Sequence, residues 1–180
     1  HRNQQRPLQR FTSKRNKTVM DKYILLIETA TDACSVALAK NSETIAEKYI
    51  NEPKAHASVI GGYVTDILAE NSITMADCSA VAVSKGPGSY TGLCYGAGKP
   101  LISACTLATI AQLAIDNNLY TGEGDFLIIP MIDARRMEVY TANFNSKGEQ
   151  LTPVEAKILD ENSYAAELAA GPVLFTGNGA

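Results

Sequence analysis

Two hydrophobic periods alternate along this chain, and the points where one gives way to the other mark its elements. Tyr23-Ile24-Leu25-Leu26-Ile27-Glu28 is a continuous apolar run ended by an acid, the pattern of a central strand. A polar turn, Thr29 to Asp32, leads to Ala33–Ala39, where Cys34, Val36 and Leu38 share one face. After Asn41-Ser42, Thr44 to Ile50 reads as a third strand, so the first three strands predict an antiparallel meander. From Pro53 the period lengthens. Val59, Ile60, Tyr63, Val64, Ile67 and Leu68 recur at three- and four-residue spacing, which predicts an amphipathic helix from Pro53 to Leu68. Gly61 and Gly62 in its middle each cost about 1 kcal/mol of helix propensity.

Cys78 to Ser84 reads as a fourth strand and runs straight into Lys85-Gly86-Pro87-Gly88-Ser89-Tyr90-Thr91-Gly92. Only seven residues, Leu93 to Lys99, then separate Gly92 from Pro100. A parallel crossover needs about a dozen residues and usually a helix, so a helix here is one or two turns or absent. Leu101-Ile102 is a brief apolar segment, and Thr106 is positioned to cap a helix reaching about Asn118. The second half opens like the first. Phe126 to Asp133 is apolar and ends in an acid, Ala134-Arg135-Arg136 turns, and Met137 to Phe144 alternates. A strand near Leu151 to Ile158, a short helix capped by Asp160 or Asn162, and a strand Pro172–Thr176 complete the pattern. The similarity of the two halves suggests an internal structural repeat. Domain expectations follow: a disordered basic extension over 1–19, either an RNA-binding tail or sequence foreign to the protein, an N-terminal lobe over 20–121, and an incomplete C-terminal lobe over 122–180. The glycine-rich end, Gly177 to Ala180, reads as the start of a further loop, so a truncated C-terminus is expected.

The chain has 180 residues, 46% of them hydrophobic, which is enough for one good core or two small lobes. No apolar run approaches the roughly 18 residues of a membrane span. Charge is uneven. Residues 1–19 hold six basic side chains and no acid, which leaves ten Lys and Arg against 19 Asp and Glu in the remainder, net −9. An acidic body argues against broad nucleic-acid binding by that body. Cys34, Cys78, Cys94 and Cys105 show no metal-ligand spacing, so free thiols in a reducing, cytoplasmic setting are expected.

Candidate chemistry is sparse. The Gly86–Gly92 loop offers Ser89, Tyr90 and Thr91 hydroxyls at a strand's carboxyl end, without the order of a phosphate-binding P-loop. It reads as a structural turn or as a contact loop for a ligand or partner. Glu28 lies beside Thr29 and Thr31, in a place suited to a metal–phosphate contact or to an ordinary side-chain-capped turn. Asp133 is its counterpart in the second half. His56 is the body's single histidine, so neither a Ser/His/Asp nor a Cys/His arrangement is available. Arg135 and Arg136 could hold phosphate or a partner's carboxylate, or form a solvated turn. These residues alone favour a noncatalytic or degenerate nucleotide-fold protein over an enzyme.

Three stretches in order carry a family resemblance: Ile27-Glu28-Thr29-Ala30-Thr31 with Cys34-Ser35-Val36-Ala37-Leu38, then Lys85 to Gly92, then Ile132-Asp133-Ala134-Arg135-Arg136-Met137-Glu138-Val139-Tyr140. Across residues 22–180 the chain resembles the bacterial TsaB (YeaZ) family. The resemblance implies an α/β fold of the two-lobed actin-like, Hsp70-like (ribonuclease H-like) class, here with an N-lobe lacking a helix and a truncated C-lobe. It also implies a noncatalytic scaffold and activator for the transferase TsaD. The product would be N6-threonylcarbamoyladenosine at position 37 of tRNAs reading ANN codons, with TsaE as a third component and tRNA met only through the complex. TsaD carries an H-x-x-x-H metal helix, whereas here His56 is followed four residues on by Ile60, so the resemblance places the metal on TsaD. The same contrast opposes the peptidase activity suggested by the family's glycoprotease-like label. The helix bundle used for TsaD binding, and for self-pairing through much the same surface, maps onto His56, Ile60, Gly61, Tyr63, Val64 and Ile67. ATP or ADP with magnesium is expected only at the complex interface or in a degenerate site at Glu28, Thr29 and Asp133. Two departures stand out: Glu28 occupies a position where many relatives have Asp, and the helix that the family runs after Thr91-Gly92-Leu93 has no counterpart. The rival reading is a nucleotide-hydrolysing enzyme using Glu28 and Asp133.

Overall fold

Alternation in the first half places one set of apolar side chains on a common sheet face. In the computed structural model, which describes residues 21–31, 33–52, 56–86 and 98–180, that face is built from five strands. The extension 1–19, Asp32, the helix start at Pro53, the loop from Pro87 to Gly92 and the connection after it to Ala97 lie outside the described residues. Strands β1 (Tyr23–Glu28), β2 (Ala33–Lys40) and β3 (Glu43–Asn51) form the expected antiparallel meander, with Leu25 opposite Leu38 and Cys34 opposite Ile50. Strand β4 (Cys78–Ser84) returns parallel to β1 with Leu25 opposite Val81. The segment Leu101-Ile102 proves to be part of a parallel edge strand, β5 (Leu101–Ala104), paired through Val81 and Leu101. The order is β3-β2-β1-β4-β5.

Helix α1 (His56–Glu70) covers one face of this sheet. Its Ile60, Val64, Ile67 and Leu68 pack on Leu25, Ile27, Val36, Leu38, Val81 and Val83. Each such buried side chain contributes about 1.5–3 kcal/mol, which readily offsets the two mid-helix glycines. Lys48 on β3 bonds Glu70 at 2.7 Å and fixes the helix's last turn over the sheet.

The second sheet repeats the first. Strand β6 (Leu127–Arg135) pairs antiparallel with β7 (Glu138–Thr141), β7 pairs antiparallel with β9 (Glu155–Ile158), and β10 (Val173–Thr176) returns parallel to β6. β6, β7, β9 and β10 thus correspond in order and direction to β1, β2, β3 and β4, as the apolar pattern suggests. A two-residue strand, β8 (Phe144–Asn145), pairs antiparallel with the first residues of β6, Leu127 and Ile128. Helix α2 (Thr106–Asp116) packs on this second sheet, its Leu107, Ala111 and Ala114 against Ile128, Ile132, Ala142 and Phe144. The opposite face holds Ile129, Met131, Val139 and Tyr164.

Local chemistry explains where boundaries differ from expectation. The cap of α2 is Cys105; Thr106 is the first helical residue, and its buried hydroxyl and that of Ser84 have no hydrogen-bond partner among the described residues. The alternating run 137–144 breaks into two strands at Ala142-Asn143. There Asn143 donates its N–H to Thr152 and accepts from Leu151, contacts that replace the ladder. The strand near 151–158 begins only at Glu155, after Pro153, which has no N–H to give a ladder. Asp160 and Asn162 cap no helix: the Asp160 carboxylate accepts from the Asn162 N–H and the Ser163 hydroxyl in a local turn. The helix that follows, α3 (Ala165–Ala170), starts after Tyr164, held at φ 62. Its phenol donates to Thr141 and its ring meets Phe175 edge-on, so core packing of a large side chain sets this helix start.

Candidate functional site

Both strand-end acids turn back on their own chain. Glu28, the last residue of β1, accepts the Ala30 N–H at 2.6 Å, and Asp133 near the end of β6 accepts the Arg135 N–H at 2.7 Å. A carboxylate bonded to the N–H two residues on is the side-chain-capped turn of the two readings left open by sequence. Thr31 does the same for Ala33 at 3.3 Å, and Thr29 is buried at 1% exposure. Among the described residues no group of three or more His, Cys, Asp or Glu side chains gathers as metal ligands.

A glycine at the same backbone angle follows each parallel return strand, Gly86 at φ 103 two residues beyond β4 and Gly177 at φ 102 directly after β10. At Gly177 a Cβ would collide with the Met131 carbonyl, so close approach as well as conformation requires glycine there. Beyond it, Asn178 accepts the Asp133 N–H at 3.2 Å, which draws the chain's last residues alongside the second acid. Of the Gly86–Gly92 loop only Gly86 is described; Pro87, Gly88, Ser89, Tyr90, Thr91 and Gly92 are not.

Between the sheets lies a cleft of about 500 Å³, walled by Lys85, Gly86 and Cys105 on one side and by Tyr140, Gln150, Val154, Glu155 and Ala156 on the other. Neither Glu28 nor Asp133 lines it. Lys85 and Glu155 give it one charge of each sign, and Cys105 gives it a half-buried thiol. The two fully buried thiols are unsuited to nucleophilic work. Burial, and secondarily the Glu28 carboxylate, pushes the Cys34 thiol above its ordinary range, and burial does the same to Cys78.

Helix α1 presents a different face from the one expected at its partner surface. Ile60, Val64 and Ile67 are 3%, 4% and 0% exposed in the core of their own lobe, and so cannot reach another molecule. Gly61 and Tyr63 are half-buried, and the side chain of His56 lies outside the described ones. The solvent-exposed face is Ser58, Gly62, Thr65, Asp66 and Ala69. A Cβ at Gly62 would meet nothing within 4 Å. The apolar spacing marks the buried stripe, so the open one could be found in the sequence as its complement.

Known proteins share both the sequence pattern and the fold. A family model described as "TsaD: tRNA N6-adenosine threonylcarbamoyltransferase" matches residues 43–175. The chain is 39% identical over 131 residues to the tRNA threonylcarbamoyladenosine biosynthesis protein TsaB of Escherichia coli, across 67% of this chain and 54% of that protein. It is 31% identical over 161 residues to the Bacillus subtilis protein of the same name, across 86% of this chain and 70% of that one. The chain therefore spans about half the length of the Escherichia coli relative and a similar share, 51%, of the Haemophilus influenzae one. In three dimensions it superposes on YeaZ from Pseudomonas aeruginosa with a TM-score of 0.63 at 24% identity, over 87% of this chain and 84% of that one. The fold is the two-lobed actin-like α/β class.

Proposed function

The chain belongs to the TsaB (YeaZ) family, and on that premise we propose that it serves tRNA threonylcarbamoyladenosine biosynthesis as a noncatalytic scaffold and activator of a TsaD subunit. The modified base is N6-threonylcarbamoyladenosine at position 37 of tRNAs reading ANN codons. The observation that carries the noncatalytic role is Ile60. The second ligand of an H-x-x-x-H metal helix would have to stand there, and the position is instead filled by an apolar side chain 3% exposed in the lobe's core. Metal and transfer chemistry then fall to TsaD, and nucleotide with magnesium to the interface between the two proteins. Glu28 and Asp133 are read as turn-closing groups, because one oxygen of each carboxylate bonds its own turn.

The surface offered to TsaD is the open face of α1. Small residues at Ser58, Gly62 and Ala69 permit a partner helix to approach closely, and the same face serves self-pairing when TsaD is absent. TsaE joins the assembled pair. The net charge of −9 outside residues 1–19 fits a subunit that meets tRNA through the complex. No helix among the described residues is long and apolar enough to cross a membrane, and the proposed place of work is the cytoplasm. Co-expression with the same organism's TsaD tests the reading: the two are expected to purify together at equal stoichiometry, and a TsaD that elutes alone would sink it.

A further inference from the structure

We propose that the tip of the β6–β7 hairpin, Arg135-Arg136-Met137 with Ile158 beside it, is a docking surface for an acidic protein segment that carries an apolar side chain. The tip is built against the preferences of a hairpin. Arg135, Arg136 and Met137 stand consecutively at φ 69, 56 and 61. Arg136 and Met137 form the two-residue turn between the paired Arg135 and Glu138, where Asn-Gly is the favoured sequence. Each non-glycine residue in the left-handed region costs on the order of 1 kcal/mol. Packing does not offset this cost, because Met137 is 70% and Ile158 71% exposed. Ile158 lies across from Glu138, the residue after Met137, and the Leu159 N–H donates to the Met137 carbonyl at 2.7 Å, so the two exposed apolar residues are one register position apart at the tip.

The same tip is held rigidly and leaves its charges free. Asp133 fixes the Arg135 N–H at 2.7 Å, and Asn178 fixes the Asp133 N–H. Neither arginine has an ion-pair partner among the described residues, where the pairs are Lys40 with Asp21 and Lys48 with Asp66 and Glu70. Of the surrounding charges, Asp160 is engaged by Asn162 and Ser163, Lys157 lies over the Tyr164 ring, Glu138 is half-buried, and Glu161 is exposed. Two guanidinium forks on a pre-set turn match carboxylates or phosphates. The exposed Met137 and Ile158 side chains decide for a protein segment, because a phosphate backbone leaves apolar surface uncovered.

The test titrates the full chain with a synthetic peptide of alternating glutamate and leucine, with an RNA oligonucleotide in a parallel arm, and follows backbone amide shifts by NMR. Saturable shifts at Arg135–Glu138 and Leu159 with the peptide are expected, weakened about tenfold in R135A/R136A by loss of charged hydrogen bonds. A second variant, R136N/M137G, gives the turn its preferred residues; it is expected to raise the melting temperature while weakening peptide binding. Unchanged peptide affinity in either variant, no binding at the tip, or RNA taking the tip in place of the peptide would overturn the proposal.

Discussion

The Asp133 carboxylate holds the Arg135 N–H at 2.7 Å, and in the first sheet Glu28 holds the Ala30 N–H at 2.6 Å. Two acids at matching places in a repeated fold thus do the same local work: they close the turns that end β1 and bend β6. Replacing either with alanine is expected to lower stability by about 1 kcal/mol, the worth of one such hydrogen bond. A shifted urea midpoint with unchanged slope checks it. An ATPase activity that disappears in E28A/D133A would instead restore the hydrolytic reading of these acids.

Two substitutions in helix α1 are expected to separate folding from association. Ile60→Ala opens a cavity in the first lobe and is expected to cost about 2–5 kcal/mol in denaturant unfolding. Gly62→Leu does the reverse, because its Cβ enters open space and leucine is the better helix former, worth up to about 1 kcal/mol. Its melting temperature should hold or rise while TsaD co-purification is lost. Retained co-purification would move the contact surface elsewhere.

Much of this fold was legible from apolar spacing alone. The period-two and period-three-to-four runs define β1 to β4, α1, β6 and β10, and the repeat of strand-plus-acid announces two similar sheets. What spacing could not carry is direction. The stripe Ile60, Val64, Ile67 reads equally well as a partner surface or a core face, and only the sheet beneath decides that it is core. The start of α3 escaped for a related reason: Asp160 has capping chemistry, but its oxygens go to Asn162 and Ser163, and the buried Tyr164 places the helix. Nor does any residue pattern predict three successive left-handed residues at Arg135–Met137, where asparagine and glycine would be the expected signal.

Alkaline conditions should weaken the fold through its thiols. The buried Cys34 and Cys78 have folded pKa values above the ordinary 9.0, so the native state favours the protonated form. A group raised in this way contributes stability that is present below about pH 9 and is lost as pH rises beyond it, when the unfolded thiols ionise first. Urea midpoints measured from about pH 7 to about pH 10.5 are expected to fall above about pH 9, and the fall should shrink in C34A/C78A. A flat profile would show that these thiols titrate alike in both states.

Among the described residues the buried hydroxyls of Ser84 and Thr106 have no hydrogen-bond partner. Removing a buried donor that lacks a partner relieves a desolvation cost, so S84A and T106V are each expected to be neutral or stabilising by about 1 kcal/mol. A loss of stability in thermal unfolding would mean that these hydroxyls are bonded in solution.

Transfer of the threonylcarbamoyl group to tRNA, assayed with the purified TsaD subunit in the presence and absence of this chain, tests the scaffold role most directly. The chain alone is expected to form no modified adenosine and to raise the yield when added to TsaD, with G62L failing to do so. Modified tRNA made by the chain alone, or a TsaD indifferent to its addition, would contradict it.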